Sequence, residues 1–589
     1  MRFDALARIL GGLISISASM DAVAQPHRFV DVTEAVGLGP EVVGTSIARA
    51  VFADLNADGW PDAVVDRRRV FLNEANENSP IGRRFVEVTE TGLPELFKND
   101  VVVFADLDGD GRRDAIVARY LDLRNENWTD HGHRTSWFPG HGDGTFGAGR
   151  VIDGVTPATT AAIAIGDVDR NGRLDLVLGN WYEQYGDGYE GYRNELVLQQ
   201  PDGTWAVTAL PAEAPPFDPE TDCAGRPTYG ILIAQTLGSP TPELIELNYG
   251  RRWNRLWMYE PAPDGQGLRW KDVAETIGFD GDAIRHGRHP DWLKERAKDD
   301  PRFDRPDEPP FRANGNSFDA SIGDFDADGD FDLVVAEITH AWAGESSDRS
   351  RVLLNETLVN GVTRFTSPPA LSLDRDHSDP QRWNQGDLFV EFADLDQDGR
   401  LDVLLSSGDY PDDQRLRYFR QTSDGALVDA TESVGLDHDG SQQISLGDVN
   451  GDGALDILVG QTFFRYSPEQ REGREPRLRL FLNEPPPENR SLTLRLSSDA
   501  SEVGRDALGA IVTLGVGDHV QRRQLVGVGG HAGKQHEFLV HFGVGAVELI
   551  DEVIVDWPGD SRAPARFEQV VPGRYTLEFG GDLTPASTQ

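Results

Sequence analysis

Oxygen-bearing side chains recur along this 589-residue chain at a spacing suited to a hard divalent cation. In the stretch GDFDADGDFDLVVAE, Asp324, Asp326 and Asp328 alternate, Gly329 follows, and Asp332 closes the loop. Ca²⁺ takes about six to eight oxygen ligands at about 2.3–2.6 Å. Carboxylates at loop positions 1, 3, 5 and 9, with the main-chain carbonyl of position 7 (here Asp330), supply most of that shell. Gly329 allows the backbone to fold back over the ion. Five further loops repeat the pattern. They are Asp54-Asn56-Asp58-Gly59-Asp62, Asp106-Asp108-Asp110-Gly111-Asp114, Asp167-Asp169-Asn171-Gly172-Asp175, Asp394-Asp396-Asp398-Gly399-Asp402 and Asp448-Asn450-Asp452-Gly453-Asp456. Their position-7 carbonyls belong to Trp60, Arg112, Arg173, Arg400 and Ala454. Carboxylates packed this closely repel one another unless a cation lies among them. The expectation is about six Ca²⁺ per chain, one for each loop.

The elements that must position these loops are short strands. Each loop is entered from an apolar run (AVFAD, VVFAD, AIAIGD, VEFAD, ISLGD) and left through another (AVV, AIV, LVL, VLL, ILV). The opening resembles an EF-hand loop, but no Glu stands at position 12 and an apolar run follows at once, so the loop joins strands rather than helices. A strand such as VFLNE (70–74), VLLNE (352–356) or LFLNE (480–484) comes next, and several units then carry a GDG, PDG or SDG turn. The unit ends in a strand of the form FVEVT (85–89), WKDVA (270–274) or LVDAT (427–431). Four short strands per repeat predict propeller blades. A further unit, 231–250, keeps the strand–turn–strand pattern while Gln235, Leu237 and Ser239 replace the carboxylates, so it reads as a blade without an ion. The expected fold is therefore all-β, a seven-bladed propeller with six ion loops. The last unit lacks a fourth strand, and FVDVT (29–33) stands before any strand it could follow. Docking 29–33 onto the last blade would close the ring and protect both sheet edges.

The domain boundaries expected from composition are a signal peptide over 1–24, the propeller over 25–484, a Pro-rich linker over 485–489, a small β-sandwich or barrel-like module over 490–579 and a loose tail over 580–589. Residues 1–24 carry Arg2 and Arg8, an apolar run and a small-x-small site ending at Ala24. No later run reaches the roughly 18–20 apolar residues of a membrane helix. Export to the periplasm or beyond is the expected location. A formal net charge of −43 argues against nucleic acid or an anionic membrane surface as partner. Cys223 is the only cysteine, which excludes an intramolecular disulfide and a Cys₂ metal site.

The six loops and their flanking strands resemble the FG-GAP/VCBS repeats of integrin α-subunit propellers. GAIVTL (509–514), VGVGGHAG (526–533), HFGVG (541–545) and VIVDWP (553–558) resemble the ASPIC/UnbV domain. The combination, with FxDVTxxxGL strand ends, is similar to the cartilage acidic protein 1 family and its bacterial relatives. That resemblance implies a secreted calcium-binding propeller of the adhesion or matrix-interaction kind, with no settled activity.

Blade topology places the ion loops on one face and the loops between second and third strands on the other. The latter are rich in Tyr, Trp and Arg: 180–194, 248–257, 339–350 and 407–415. These residue types suit recognition of a protein or glycan. His131, His133 and His141, and His286 and His289, have no spacing that fixes a metal, and His531 and His541 are expected in packing or turn roles. No nucleophile elbow, zinc helix, phosphate loop or dinucleotide fingerprint is present. Two readings remain open: a calcium-stabilised interaction scaffold, or an exported enzyme acting on a small molecule or polysaccharide with His340 and Asp348 as acid/base groups.

Overall fold

A computed structural model describes residues 26–97, 99–185, 191–211, 225–239, 241–261, 268–307, 315–357, 363–375, 384–409, 414–498, 506–559 and 563–586. The leader expected over 1–24, and Cys223, lie outside the described residues.

The architecture is all-β and propeller-like, built from small antiparallel sheets. The first unit runs Ala50–Ala53, Asp62–Val65, Arg69–Ala75 and Arg83–Glu87, each strand paired with the next. The same order recurs in units beginning at Val101–Ala105, Thr160–Gly166, Thr228–Ala234, Ser317–Gly323, Asn384–Ala393 and Ser441–Gly447. Residues 338–340 also pair with 384–386, which joins the fifth and sixth units into one sheet. First and second strands are buried almost throughout because both their faces are covered, and they read as continuous apolar runs for that reason.

Each sheet packs on the next through an apolar cluster, and the one between the second and third units, where Val103 meets Ile163, is shared with the carboxy-terminal module. Val51 and Val64 meet Val102 and Phe104, Ala164 and Val177 meet Ile231 and Leu244, and Ile245 meets Ala320 and Leu333. Val334 then meets Val390, Leu404 meets Ile444, and Leu458 and Leu480 return to Phe52 and Ala63 of the first unit. The circuit of contacts therefore closes on itself. Burial of each such side chain is worth about 1.5–3 kcal/mol. The closing strand is present: Arg28–Asp31 pairs antiparallel with Arg479–Glu484, in register Phe29 to Asn483. The ladder stops at Asp31, short of the 29–33 expected, but Val32 N–H still donates to the Leu480 carbonyl and Thr33 Oγ accepts from Leu480 N–H at 2.8 Å.

The carboxy-terminal module forms two four-stranded sheets, one containing Arg490–Ser497 parallel to Gly573–Glu578, the other centred on Ile511–Val516 and Ile550–Asp556. Beyond 579, Thr584–Pro585 pairs with residues 575 and 576. The linker is also anchored, since Asn489 Nδ2 donates to the Asp396 carbonyl at 2.7 Å. The module shares one apolar cluster with the second and third units, in which Leu492, Leu508 and Val528 meet Val101, Ile163 and Ile165.

The stretch after Gln524, which alternates like a strand, leaves the module and threads the ring. Gln535 exchanges two hydrogen bonds with the Phe104 backbone, at 2.9 and 2.8 Å. Ile165 N–H donates to the Val528 carbonyl, and Gly530–His531 pairs with residues 230 and 231. His531 N–H donates to Asp319, Lys534 donates to the Ala320 and Val390 carbonyls, and Ser445 Oγ donates to the Gln535 carbonyl. First strands of the second to the last units thus converge on one segment. Glycine is required at its tightest points: Gly533 has φ 65°, and a Cβ there would stand 2.5 Å from Val103.

Phe29 is 6% exposed and packs with Val434 and Tyr418. Phe29→Ala is expected to cost about 3 kcal/mol of stability, read as a lower denaturation midpoint. An unchanged midpoint would show that closure does not depend on this strand.

Candidate functional site

The acidic loops share one hydrogen-bond scheme. The position-6 glycine N–H donates to the position-1 carboxylate, as from Gly59 to Asp54 at 3.0 Å and from Gly399 to Asp394 at 2.9 Å. The position-7 N–H donates to the position-5 side chain, as from Trp60 to Asp58, Arg112 to Asp110, Arg173 to Asn171, Asp330 to Asp328, Arg400 to Asp398 and Ala454 to Asp452. The position-9 carboxylate is buried and uses both oxygens. Asp62 accepts from Leu55 N–H and from Asn73 N–H on the third strand, both at 2.8 Å. Asp114, Asp175, Asp332, Asp402 and Asp456 repeat this. Position 9 therefore pins the turn to the sheet, a structural duty that its ligand-like spacing does not reveal.

In four loops the carboxylates at positions 1, 3 and 9 bring ligand oxygens within 4.8 Å of one another: Asp106, Asp108 and Asp114; Asp167, Asp169 and Asp175; Asp324, Asp326 and Asp332; Asp394, Asp396 and Asp402. Position 5 lies outside these sets. Asp110 pairs with Arg112 and Asp398 with Arg400, on opposite sides of the glycine. In the remaining two loops Asn56 and Asn450 stand at position 3 and donate to Asp58 and Asp452, at 2.9 and 2.8 Å. Among the described residues, buried carboxylate oxygens without a hydrogen-bond partner remain on Asp106, Asp324 and Asp328. Orphaned oxygens beside converging carboxylates fit a hard, oxygen-seeking metal ion. Burial pushes the carboxyls up: Asp62, Asp175 and Asp394 to about 8, Asp114 and Asp448 to about 7, and Asp106, Asp167 and Asp326 to about 6. Neighbouring carboxylates add to the shift in most of them.

The ion-poor turn keeps one carboxylate. Glu243 stands at its position 9, and its Oε2 accepts from Thr236 N–H at 2.6 Å. It preserves the pinning role after Gln235, Leu237 and Ser239 have removed the rest of the set.

The terminal module covers the ion-loop face and supplies cations of its own. Arg495 lies 3.2 Å from Asp54 Oδ2 and donates to the Gly59 carbonyl at 2.9 Å. Arg574 Nε lies 3.0 Å from Asp448 Oδ2. These are the two loops with asparagine at position 3, so an arginine reaches the loops that carry fewer carboxylates. Arg113 of the second unit pairs with Asp506 of the module at 3.0 Å, and Arg522 donates to the Gly329 carbonyl. Sequence reading missed these arginines because their partners lie hundreds of residues away.

The opposite face carries aromatic residues in contact. A register shift near the start of the first strand recurs in five units and leaves Ala161, Tyr229, Phe318, Leu388 and the pair Gln442–Gln443 outside the ladder. Such bulges re-aim side chains. Tyr229 stacks on Phe318 at 4.3 Å, and Trp181 packs on Tyr229 at 4.9 Å. Tyr185, 63% exposed, stacks over Trp181 at 5.0 Å. The buried Trp181 indole N–H has no acceptor among the described residues. Trp342 is less available, with Arg251 and Arg305 at 4.7 and 4.4 Å from its ring centre and His340 stacked at 5.1 Å. His131 stacks on Phe97 at 4.5 Å. Burial takes the His340 imidazole down to about 3, so it stays neutral. Asp348 is buried, which pushes its carboxyl well up, and among the described residues neither of its oxygens has a hydrogen-bond partner, His340 included.

Residues 394–459 match the family model of the FG-GAP-like repeat, and residues 500–578 match that of ASPIC and UnbV. The chain thus carries an FG-GAP-like repeat and a carboxy-terminal ASPIC/UnbV domain. No curated protein matches it. Among solved structures it is similar to an Agrocybe aegerita lectin that recognises non-reducing terminal N-acetylglucosamine, at 16% identity over 67% of this chain and 82% of that one, with a TM-score of 0.37. It is also similar to an ancestral GH74 enzyme, at 11% identity over 91% of this chain and 60% of that one, TM-score 0.35. A third is the V. cholerae biofilm matrix protein Bap1, at 11% identity over 74% and 88%, TM-score 0.28. Likenesses this distant carry no argument about ligand or activity. No described helix is long and apolar enough to cross a membrane.

The raised carboxyls give a pH test with a defined sign. In the cation-free protein, groups at about 6 to 8 hold protons that an unfolded chain, near 3.9, has released. Their contribution to stability is complete below about pH 4 and is lost as pH rises through 6 to 8. A divalent cation needs the ionised form, so its stabilisation grows over the same range. The gap in melting temperature between cation-loaded and chelated protein should widen from pH 5 to pH 8. A gap independent of pH would contradict the assignment.

Proposed function

We propose that the chain is an exported, seven-bladed propeller loaded with about six Ca²⁺, spanning 25–484 and capped through the 485–489 linker by the 490–579 module, and that it acts as an interaction scaffold for a glycan or protein. The observation that carries this reading is the segregation of chemistry between the two faces. Acidic loops and the module's arginines occupy one face, and that face is covered. The other presents Tyr185, stacked over the buried Trp181. Aromatic rings on a rigid scaffold offer flat apolar area with little entropy to lose on binding. The 180–194 loop supplies the best-exposed of these rings, ahead of the enclosed Trp342.

Calcium on this reading acts at a distance, by holding the strands from which the recognition loops project. The enzyme reading has less support, because His340 is neutral and enclosed and Asp348 makes no hydrogen bond to it.

Screening the protein on a glycan panel and against extracellular protein fractions tests the reading. Tyr185→Ala should weaken the captured interaction by about 2 kcal/mol, with calcium content and melting unchanged. Asp326→Asn should lower calcium content and stability first. Loss of binding, calcium and stability together in both variants would contradict a division between structural and recognition faces.

A further inference from the structure

Where the module's segment crosses the ring, Lys534 is enclosed by two carboxylates. Its Nζ lies 2.9 Å from Asp319 Oδ2 and 2.8 Å from Glu391 Oε2, and it donates to the Ala320 and Val390 carbonyls at 3.1 and 2.6 Å. The Lys534 side chain is 5% exposed and that of Asp319 is fully buried. Asp319 is held from both sides: Oδ1 accepts from His531 N–H at 3.0 Å, and Oδ2 from Val390 N–H at 2.9 Å. One backbone donor on each oxygen fixes the carboxyl in place, and the His531 N–H would stabilise an oxyanion formed on Oδ1. Glu391 is steadied by Ser321 Oγ at 2.7 Å and faces His536 Nε2 at 3.0 Å. Lys534, Glu391 and His536 all line a cavity of about 130 Å³, whose walls also include Leu232, Ile322 and Phe392.

We propose that Lys534 and Asp319 join in an intramolecular isopeptide bond, with Glu391 as the catalytic base. Glu391 takes a proton from the Lys534 ammonium and passes it to Oδ2 of Asp319, which faces the same Nζ. The freed Nζ attacks Cγ, and the oxyanion on Oδ1 is held by the His531 N–H. The Nζ–Cγ bond forms, the Cγ–Oδ2 bond breaks, and that oxygen leaves as water carrying the second Nζ proton. The products are one amide, one water and Glu391 again ionised, so atoms and charge balance without any other reagent. The cavity receives the water.

The protonation states agree with these roles. Burial raises the Asp319 carboxyl, and Lys534 and two backbone N–H groups offset this only in part, so of the two carboxyls beside Lys534 it takes a proton the more readily. Burial also raises Glu391, but Lys534 and His536 outweigh it and bring it down to about 2, so Glu391 is the base. Burial lowers Lys534, while its two carboxylates raise it by more, which makes removal of the ammonium proton the slow step. Fixed proximity of Nζ to the Asp319 carboxyl lowers the barrier against which this transfer works.

Mass spectrometry of the purified full-length protein tests this on the wild type itself. The cross-linked chain should weigh about 18 Da, one water, less than its sequence requires. Trypsin should release a branched peptide joining 313–349 to 524–562, uncut after Lys534. Glu391→Gln and Lys534→Arg should restore linear peptides. Finding 524–534 and 313–349 as separate, unmodified peptides from wild-type protein would overturn the proposal, whether or not either variant folds.

Discussion

Crowding carboxylates into buried turns is the constraint on which the structure depends. Each loop holds three or four acidic or amide side chains within a few ångströms, and the position-9 carboxylate is removed from water to pin the turn to two strands. Without compensation, burial and mutual repulsion make this arrangement costly. The chain meets the cost in three ways. Backbone N–H groups bond the carboxylates in every loop, Arg495 and Arg574 bring positive charge from the module, and the converging oxygens of four loops leave room for a metal ion.

The same economy explains why module and ring form a single body. A closed circuit of sheets leaves an axis lined by first strands, and here the 528–537 segment fills it. Lys534 and Gln535 satisfy backbone and carboxylate groups that the ring's own strands leave open. The loops on the opposite face thereby project from a scaffold braced at its rim by Arg28–Asp31 and at its centre by the module.

Much of this was legible in the sequence. The Asp-x-Asp-x-Asp-Gly loops announced themselves because their chemistry is local, within nine residues. The closing strand was legible because FVDVT repeats the ends of other units, and the all-β class because four strand patterns recur between turns. What escaped notice is non-local. Arg495 meets Asp54 across 441 residues, and Lys534 meets Asp319 across 215, with no periodicity to mark either pair. Within HAGKQHE only His531 stood out, with a packing or turn role expected, and nothing local marks Lys534 or Gln535 as partners of the ring. Glu243 was overlooked for a different reason: one methylene longer than aspartate, it keeps position 9 without matching the motif.

Calcium stoichiometry tests the account most directly. Elemental analysis of the mature protein after exhaustive dialysis against metal-free buffer should give about six calcium ions per chain, one for each loop of the Asp324 type and none for the Gln235 turn. A value below three would contradict the loading of the loops and, with it, the electrostatic logic proposed for the ion-bearing face.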